Sequence, residues 1–316
     1  MIKFDKLKII TKISYIRLIN KDKFIKNEIN GHIESWTYKC DSPFSLLIKK
    51  NRKDDELVIE FTGKILLDKY PDLIGMDNIR LCLENINDHH ICKLDINGIL
   101  SDSYVTKCDV TIDVHCTDLE RLATQIKENI CNHKKYMCKR TRENIEITNC
   151  VTTRNLKTRC IIYDKYNEIN RPGNREFLRH VKNKDEMLNY FKGRIRFELN
   201  LNSKQLIRQH LGIADTNLSS VLNSAKNPII DFFSKILINE TEGPTSINSL
   251  RDYERLLLIN QCEYDMSKVE AIVRKYSSPK TSIKQIMAPY QRIARMENSG
   301  TDGVLDELKR MLNESL

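Results

Sequence analysis

The chain has 316 residues and carries 52 Lys and Arg against 43 Asp and Glu, a formal net charge of +9. This length can bury a substantial core and predicts two domains of ordinary size. The basic balance favours a polyanionic partner such as nucleic acid without identifying it, because the coding bias of an AT-rich genome also produces basic proteins. No apolar run approaches the roughly 18 residues of a membrane-spanning helix, which argues against an integral membrane protein.

The cysteine pattern excludes a zinc ribbon. Ten cysteines occur singly, with no CxxC pair, which is typical of reduced thiols in a cytosolic protein. The first eight residues lack the apolar core of a signal peptide. We therefore expect a soluble protein of the cytoplasm, with no membrane partner.

The first two thirds of the chain have mainly strand patterns. Residues 7–13, 44–49 and 57–61 alternate as strands do, whereas residues 77–87 have the apolar spacing of a helix. A second helix is predicted to follow residue 116, with Thr117 or Asp118 as its N-cap.

Residues 107–116 form the most informative of the predicted strands. Successive side chains of a strand point to opposite faces, so Val110, Ile112 and Val114 form an apolar stripe. The opposite face carries four polar side chains, which are Asp109, Thr111, Asp113 and His115. A solvated strand alternates in the same way, so this strand alone does not identify a site.

A second predicted strand, residues 159–165, places Arg159, Tyr163 and Lys165 on one face. A free phenol has a pKa near ~10, and a nearby cation helps to make it a nucleophile. By itself, Tyr163 also fits a half-buried core tyrosine.

The third predicted strand, residues 194–201, alternates without interruption and places Arg194, Arg196 and Glu198 on its polar face. If the three strands are neighbours, Asp109, Asp113 and Glu198 supply oxygen ligands and His115 a nitrogen ligand. This set suits Mg²⁺ or Mn²⁺ better than zinc. The arginines of these strands, Arg159, Arg194 and Arg196, would bind phosphate. A divalent ion beside a tyrosine supports attack on a phosphodiester by offsetting charge at phosphorus.

Residues 133–159 are rich in Lys and Arg. A solvated strand pair or loop and a surface that follows a phosphate backbone explain this composition equally well.

The chain becomes helical beyond residue 203. A helix over residues 205–211 is predicted to end at Gly212, and residues 228–238 are strongly apolar. A linker over 240–244 precedes helices at 250–260, 266–276 and 281–296. The turn at 277–280 has the length found in helix-turn-helix motifs and in other helical hairpins. We predict a catalytic domain over 1–203, a helical connection over 204–244 and a DNA-binding helical region, of helix-turn-helix or winged-helix type, over 245–316.

Four ordered landmarks resemble the filamentous-phage gene II/X replication proteins and the related rolling-circle plasmid initiators. They are Phe61-Thr-Gly-Lys-Ile-Leu with Gly75-Met-Asp-Asn, Cys108-Asp-Val-Thr-Ile-Asp, Tyr163-Asp-Lys-Tyr-Asn-Glu, and Arg196-Phe-Glu-Leu. The resemblance covers roughly residues 1–212 and extends only loosely to the C-terminal hundred.

The resemblance implies an α+β fold, with an antiparallel sheet like that of the His-hydrophobe-His nicking endonucleases. By position it makes Tyr163 the nucleophile, supported by Lys165 and Glu168, and makes Asp109 and Glu198 the acidic residues of the metal side. Two positions depart from the family pattern. Cys108 replaces an arginine that is frequent in relatives, and Asp113-Val-His115 replaces His-hydrophobe-His.

The expected function is rolling-circle initiation, in which origin DNA is nicked through a 5′-phosphotyrosyl link and later rejoined. Expected partners are single-stranded or extruded origin DNA and a host helicase and polymerase. Two alternatives stay open at this point, a non-catalytic DNA-binding replication or copy-control protein and a metal-dependent nuclease that uses water. Rival nucleophiles are Tyr166, which has the opposite strand parity, and the tyrosines of predicted helices, Tyr253, Tyr264, Tyr276 and Tyr290.

Overall fold

The structure is a computed structural model. It describes residues 2–116, 118–130, 135–141, 143–151, 153, 156–237, 249–262, 265–278, 282–298 and 304–315. It has two compact units, one of Met1–Ile236 with Arg310–Leu316 and one of Leu237–Lys309.

A ten-stranded sheet organises the first unit. The strands of the chain are β1 Lys3–Lys12, β2 Ile16–Ile19, β3 Ile25–Ile29, β4 His32–Cys40, β5 Leu46–Asn51, β6 Glu56–Thr62, β7 Cys92–Leu94, β8 Tyr104–His115, β9 Tyr136–Arg140, β10 Asn144–Asn149, β11 Arg159–Asp164 and β12 Arg194–Leu201. The large sheet has the order β3-β4-β5-β6-β1-β8-β12-β11-β10-β9, and every neighbouring pair is antiparallel. Strands β2 and β7 form a separate pair. Strands β8, β12 and β11 thus lie side by side near the middle of the large sheet.

The helices of the first unit lie between and after these strands. They are α1 Ile79–Asp88, α2 Ile96–Asp102, α3 Leu119–Glu128, α4 Lys165–Ile169, α5 Arg175–His180, α6 Lys184–Phe191, α7 Lys204–Leu211, α8 Leu218–Leu222 and α9 Pro228–Ile236, with 3₁₀ segments at Ile13–Tyr15, Gly63–Asp72 and Pro172–Asn174. The antiparallel sheet with separate helices confirms the predicted α+β class.

Opposite faces of the central strands are buried by different groups. On the core face, Val110 and Phe197 are fully buried, and the Phe197 ring packs edge-on against Phe233 of α9, with 5.8 Å between centroids. On the other face, a second apolar cluster includes Tyr70, Phe177 and Phe191. This cluster covers the end of the polar face that carries Arg196, whose guanidinium lies 5.2 Å from the centroid of the Tyr70 ring and 5.5 Å from that of Phe191.

Most predicted elements of the first unit form with small shifts at their ends. The helix after residue 116 begins at Leu119, and the Asp118 side chain caps it by accepting a hydrogen bond from the Arg121 N–H. The strand predicted over 159–165 is one residue too long, because Asp164 caps α4 and Lys165 is already helical. The nine cysteines in the described part of the chain are free thiols.

The second unit is helical, with α10 Leu250–Gln261, α11 Met266–Tyr276 and α12 Ile283–Asn298, followed by α13 Val304–Glu314, which extends past the end of the unit. The first three helices pack around a core that includes Ile259, Val269 and Met287. The predicted linker and Tyr264 lie outside the described residues, as does part of the turn between α11 and α12. A helix-turn-helix function and the predicted domain boundaries stay predictions.

Among the helices that the structure describes, none combines the length and apolar character needed to cross a membrane.

The left-handed residue at the C-terminal end of α7 can be tested by its effect on stability. Gly212 is left-handed, with φ 67°, and its N–H bonds to the Arg208 carbonyl. An L-residue in that conformation costs about 1 kcal/mol. We expect Gly212→Ala to lower the free energy of unfolding by about this amount, as measured by urea denaturation with the fluorescence of Trp36, the only tryptophan.

Gly173 is the matched control, because it has no positive φ and a Cβ there would contact no atom of the described residues within 4 Å. Gly173→Ala should leave the stability unchanged or raise it by up to about 1 kcal/mol. Equal losses in both variants would contradict the role assigned to the helix end.

Candidate active site

The polar side chains of the central strands form transverse rows on one face of the sheet, which we call the site face. Residues directly opposite in antiparallel strands have side chains on the same side. The rows are Met137, Thr148, Arg159, Asn200 and Asp109; Lys139, Glu146, Ile161, Glu198 and Thr111; and Asn144, Tyr163, Arg196 and Asp113. Glu198 therefore lies between the rows of Tyr163 and Asp109.

Tyr163 and Glu198 are joined directly. The Tyr163 Oη donates a hydrogen bond of 2.5 Å to Glu198 Oε1. Burial and the nearby charge of Asp5 raise the pKa of Glu198 to about 7. Burial and the Glu198 charge also raise the pKa of Tyr163 above its ordinary value. Since Glu198 exchanges its proton near neutral pH, it is placed to accept the phenol proton.

Lys165 lies close to the ring of Tyr163. Its side chain is almost fully buried and forms an ion pair of 2.5 Å with Glu168, and its Nζ lies 5.6 Å from the centroid of the Tyr163 ring. Burial lowers the pKa of Lys165, and the charge of Arg196 lowers it further. Burial acts to raise the pKa of Glu168, but Lys165 and Lys64 bring it down to about 2. Helix α4 thus places a buried ion pair beside the tyrosine.

Arg196 is the centre of a buried polar cluster. Its Nε and Nη2 donate to the two carboxylate oxygens of Asp113, at 2.6 and 2.7 Å. Its Nη1 donates to Asp5 Oδ1 at 2.9 Å and to Tyr70 Oη at 2.8 Å. The Arg196 side chain is fully buried and that of Asp113 is 3% exposed. The predictions made Arg196 a DNA contact and Asp113 a metal ligand, whereas the structure pairs these two groups with each other.

Asp5 enters the site through a β-bulge that the sequence analysis missed. Phe4 pairs with Val110 and Lys6 with Asp109, so Asp5 has no partner across the ladder. Its N–H donates to the Thr111 hydroxyl instead. The sequence trace of the bulge is the spacing of the buried apolar residues in β1: Leu7 follows Phe4 by three positions, whereas Ile9 follows Leu7 by the two positions of a regular strand. Nothing comparable marked Tyr70.

The four predicted metal ligands do not converge. Along β8, six residues separate Asp109 from His115, which corresponds to roughly 20 Å. His115 is exposed at the strand end opposite Arg194, and Asp113 binds Arg196. Among the described residues, no group of three or more His, Cys, Asp or Glu side chains is placed to hold a metal ion.

Asp109 and Glu198 nevertheless fit a hard cation in the type of ligand they supply. They lie in adjacent rows of neighbouring strands, and within the described residues neither forms a salt bridge with a basic side chain. Burial raises the pKa of Asp109 to about 6. Carboxylates are ligands that suit Mg²⁺ and Mn²⁺, and of the four predicted ligands these two lie in adjacent rows.

The remaining predicted residues lie at the margins of the site. Arg159 is in the row of Asp109 and pairs with Glu146 at 2.8 Å. Arg194 stacks on the Tyr190 ring, 4.4 Å from its centroid. Tyr166 lies in α4, and 37% of its surface is exposed.

The buried ion pair of Arg196 and Asp113 can be tested by its effect on stability. Asp113→Asn removes one charge and leaves Arg196 without its bidentate partner, which we expect to cost about 3–5 kcal/mol of unfolding free energy. Glu146→Gln removes the same charge from the half-exposed pair with Arg159 and should cost less than about 1 kcal/mol. Urea denaturation measures both values, and a loss for Asp113→Asn as small as that for Glu146→Gln would contradict the central role of this pair.

The comparisons with known proteins identify the family. A family model for the N-terminal region of the phage replication-associated protein of gene II matches residues 24–220. No curated protein and no solved structure matches the chain. The matched segment covers more than half of the chain and includes β8, β11 and β12, and it supports a role as a replication initiator. The chain belongs to the phage gene II-type replication-associated proteins.

Proposed function

We propose that the protein initiates rolling-circle replication by nicking one strand of origin DNA, with Tyr163 as the nucleophile and Glu198 as its general base. The observation that carries this proposal is the 2.5 Å hydrogen bond from the Tyr163 hydroxyl to Glu198. A phenol at neutral pH is a weak nucleophile unless a base removes its proton during attack. A carboxylate with a pKa of about 7 suits that task at neutral pH.

The proposed reaction is a transfer of one phosphodiester bond. The Tyr163 oxygen attacks phosphorus while its proton passes to Glu198. The bond from phosphorus to the 3′ oxygen breaks, and that oxygen takes up a proton to leave as a 3′-hydroxyl. The hydroxyl primes synthesis, and the 5′-phosphotyrosyl ester conserves the bond energy, so the reverse reaction rejoins a strand.

The residues around this pair supply positioning and charge. Arg196, opposite Tyr163 in the register, is fixed by Asp113 and Asp5. Lys165 places a buried amine near the Tyr163 ring, where its protonated form would favour the growing negative charge on the phenol oxygen. Glu168 would keep Lys165 in place.

A divalent cation, Mg²⁺ or Mn²⁺, would be held by Asp109, which forms no salt bridge with a described residue. Glu198 stays free of the cation in this proposal, because a bound cation would lower its pKa well below 7 and remove the base. When bound, it would supply positive charge to a non-bridging phosphate oxygen. The neighbours of these two carboxylates are fixed by the sheet, because Asn200 lies opposite Asp109 in the register and Tyr163 hydrogen-bonds Glu198.

We further propose that the protein acts in the cytoplasm of a bacterial host, where its C-terminal region recruits origin DNA and the replication machinery. The first 203 residues would form the catalytic domain, residues 204–244 the helical connection and residues 245–316 the DNA-binding region. A host helicase and polymerase are the partners that a free 3′-hydroxyl and a displaced strand would require.

The nucleophile is tested with labelled origin DNA and Mn²⁺. Tyr163→Phe should abolish the covalent protein–DNA adduct, because the ring is retained but the attacking oxygen is lost. Tyr166→Phe, which removes the exposed hydroxyl three residues away, should form the adduct at the wild-type level. Denaturing gels that separate adduct from free DNA give the result, and an adduct in Tyr163→Phe would refute the assignment.

The base is tested by the pH dependence of single-turnover nicking. Glu198 must be deprotonated to accept the phenol proton, and its pKa is raised from the ordinary value to about 7. We therefore expect the rate to be low below pH 6, to rise through about pH 7 and then to level off. Glu198→Gln should be slower by about 10²-fold or more and should lose this rise. A wild-type rise centred near pH 4.5 would contradict the assignment.

A further inference from the structure

The site face continues beyond Tyr163 and Glu198 toward the β9 edge of the sheet. Ile161, Glu146 and Lys139 follow Glu198 in the same transverse row. With a strand spacing of about 4.8 Å, Lys139 lies roughly 14 Å from Glu198 across the sheet. This surface, formed by the site-face side chains of β9, β10 and β11, is called the edge surface below.

The basic side chains of β9 and β11 lie on different sides of the sheet. Arg140 is turned away from the surface, toward α3, where it pairs with Glu120 at 2.9 Å. Lys139 lies on the site face, is exposed, and forms no salt bridge with a described residue. Arg159 is 44% exposed and shares its charge with Glu146. Among the described site-face residues of β9, β10 and β11, Lys139 is thus a cation without a salt bridge, Arg159 and Glu146 offset each other, and Arg140 pairs on the other side of the sheet.

Two apolar side chains lie on the same surface. Met137 stands in the row of Arg159 and is 59% exposed, and Ile161, between Glu146 and Glu198, is partly exposed. An exposed apolar side chain next to an exposed cation, as Met137 is next to Lys139 on the site face of β9, fits an unpaired nucleic-acid strand, whose bases offer flat apolar faces and whose backbone offers phosphates. A base-paired duplex would present its backbone to Met137 and keep its bases inside.

We propose that the edge surface binds the single strand of DNA that continues from the scissile phosphate, with Lys139 contacting a phosphate and Met137 a base. This inference rests on the proposed function, because the scissile phosphate at Tyr163 gives the strand its starting point. The surface is continuous with Tyr163 through β11, along which four residues, or roughly 13 Å, separate Tyr163 from Arg159.

The test measures binding of the full-length protein to a single-stranded origin oligonucleotide as a function of salt, in a Tyr163→Phe background so that no DNA is cut. Lys139→Gln should weaken binding several-fold and reduce the slope of log affinity against log salt by about 0.7, the value for one phosphate contact on a single strand. Met137→Ala should weaken binding without changing that slope. The control Lys53→Gln, an exposed position in the turn between β5 and β6, should change neither quantity.

Truncated oligonucleotides locate the strand. Shortening the DNA on one side of the scissile phosphate should remove the effect of Lys139→Gln, and shortening it on the other side should preserve it. The proposal is overturned if Lys139→Gln leaves the slope unchanged, if its effect survives both truncations, or if duplex DNA shows the same effect.

A failure of the proposed function would look different. It would appear as the absence of a covalent adduct in protein that retains Tyr163, whatever the salt slopes of the variants. An unchanged slope in Lys139→Gln together with normal adduct formation would reject the edge surface alone. Circular dichroism of each variant checks that these exposed substitutions leave the fold intact.

Discussion

The site depends on one buried cation, the guanidinium of Arg196, and on the groups that compensate it. A charge in a protein interior is strongly unfavourable unless each of its donors is satisfied. Here the donors reach Asp113 of β8, Asp5 of β1 and Tyr70 of the 3₁₀ segment. These contacts come from three places far apart in the sequence, so the guanidinium can be satisfied only when the central strands are in the native register.

The position of Arg196 determines what its neighbours can do. Tyr163 stands opposite it on β11, and Glu198 is the next site-face residue along β12. With Asp113 committed to Arg196, the excess negative charge of the face is concentrated on Glu198 and Asp109, and both acquire raised pKa values through burial. The pairing therefore separates two kinds of carboxylate, one that stabilises the fold and one that is available for proton transfer or a cation.

The sequence correctly predicts which side of the sheet each of these side chains faces, but it does not predict which groups they pair with. Strict alternation in residues 107–116 and 194–201 assigns Asp109, Asp113, Arg196 and Glu198 to one side, as the structure has them. Alternation cannot say which of these polar groups neutralise each other, because that depends on register between strands more than 80 residues apart. It assumes a regular ladder, so the bulge that brings Asp5 into the site escapes it. Alternation also fails for His115. It places His115 and Asp109 on the same face of the strand, but it does not show that about 20 Å separates them along β8.

The charged side chains of the site face are buried and paired beside Tyr163 and become exposed toward the β9 edge. Behind Tyr163, Lys165 and Arg196 are buried and balanced by Glu168, Asp113 and Asp5, so they cannot move to meet a ligand without leaving a carboxylate uncompensated. Toward the β9 edge, Lys139 is exposed and Arg159 is only half covered, so these side chains can adjust to a phosphate at little cost. Fixed charges beside Tyr163 and adaptable charges at the β9 edge are what the proposed nicking and strand binding on one face would require.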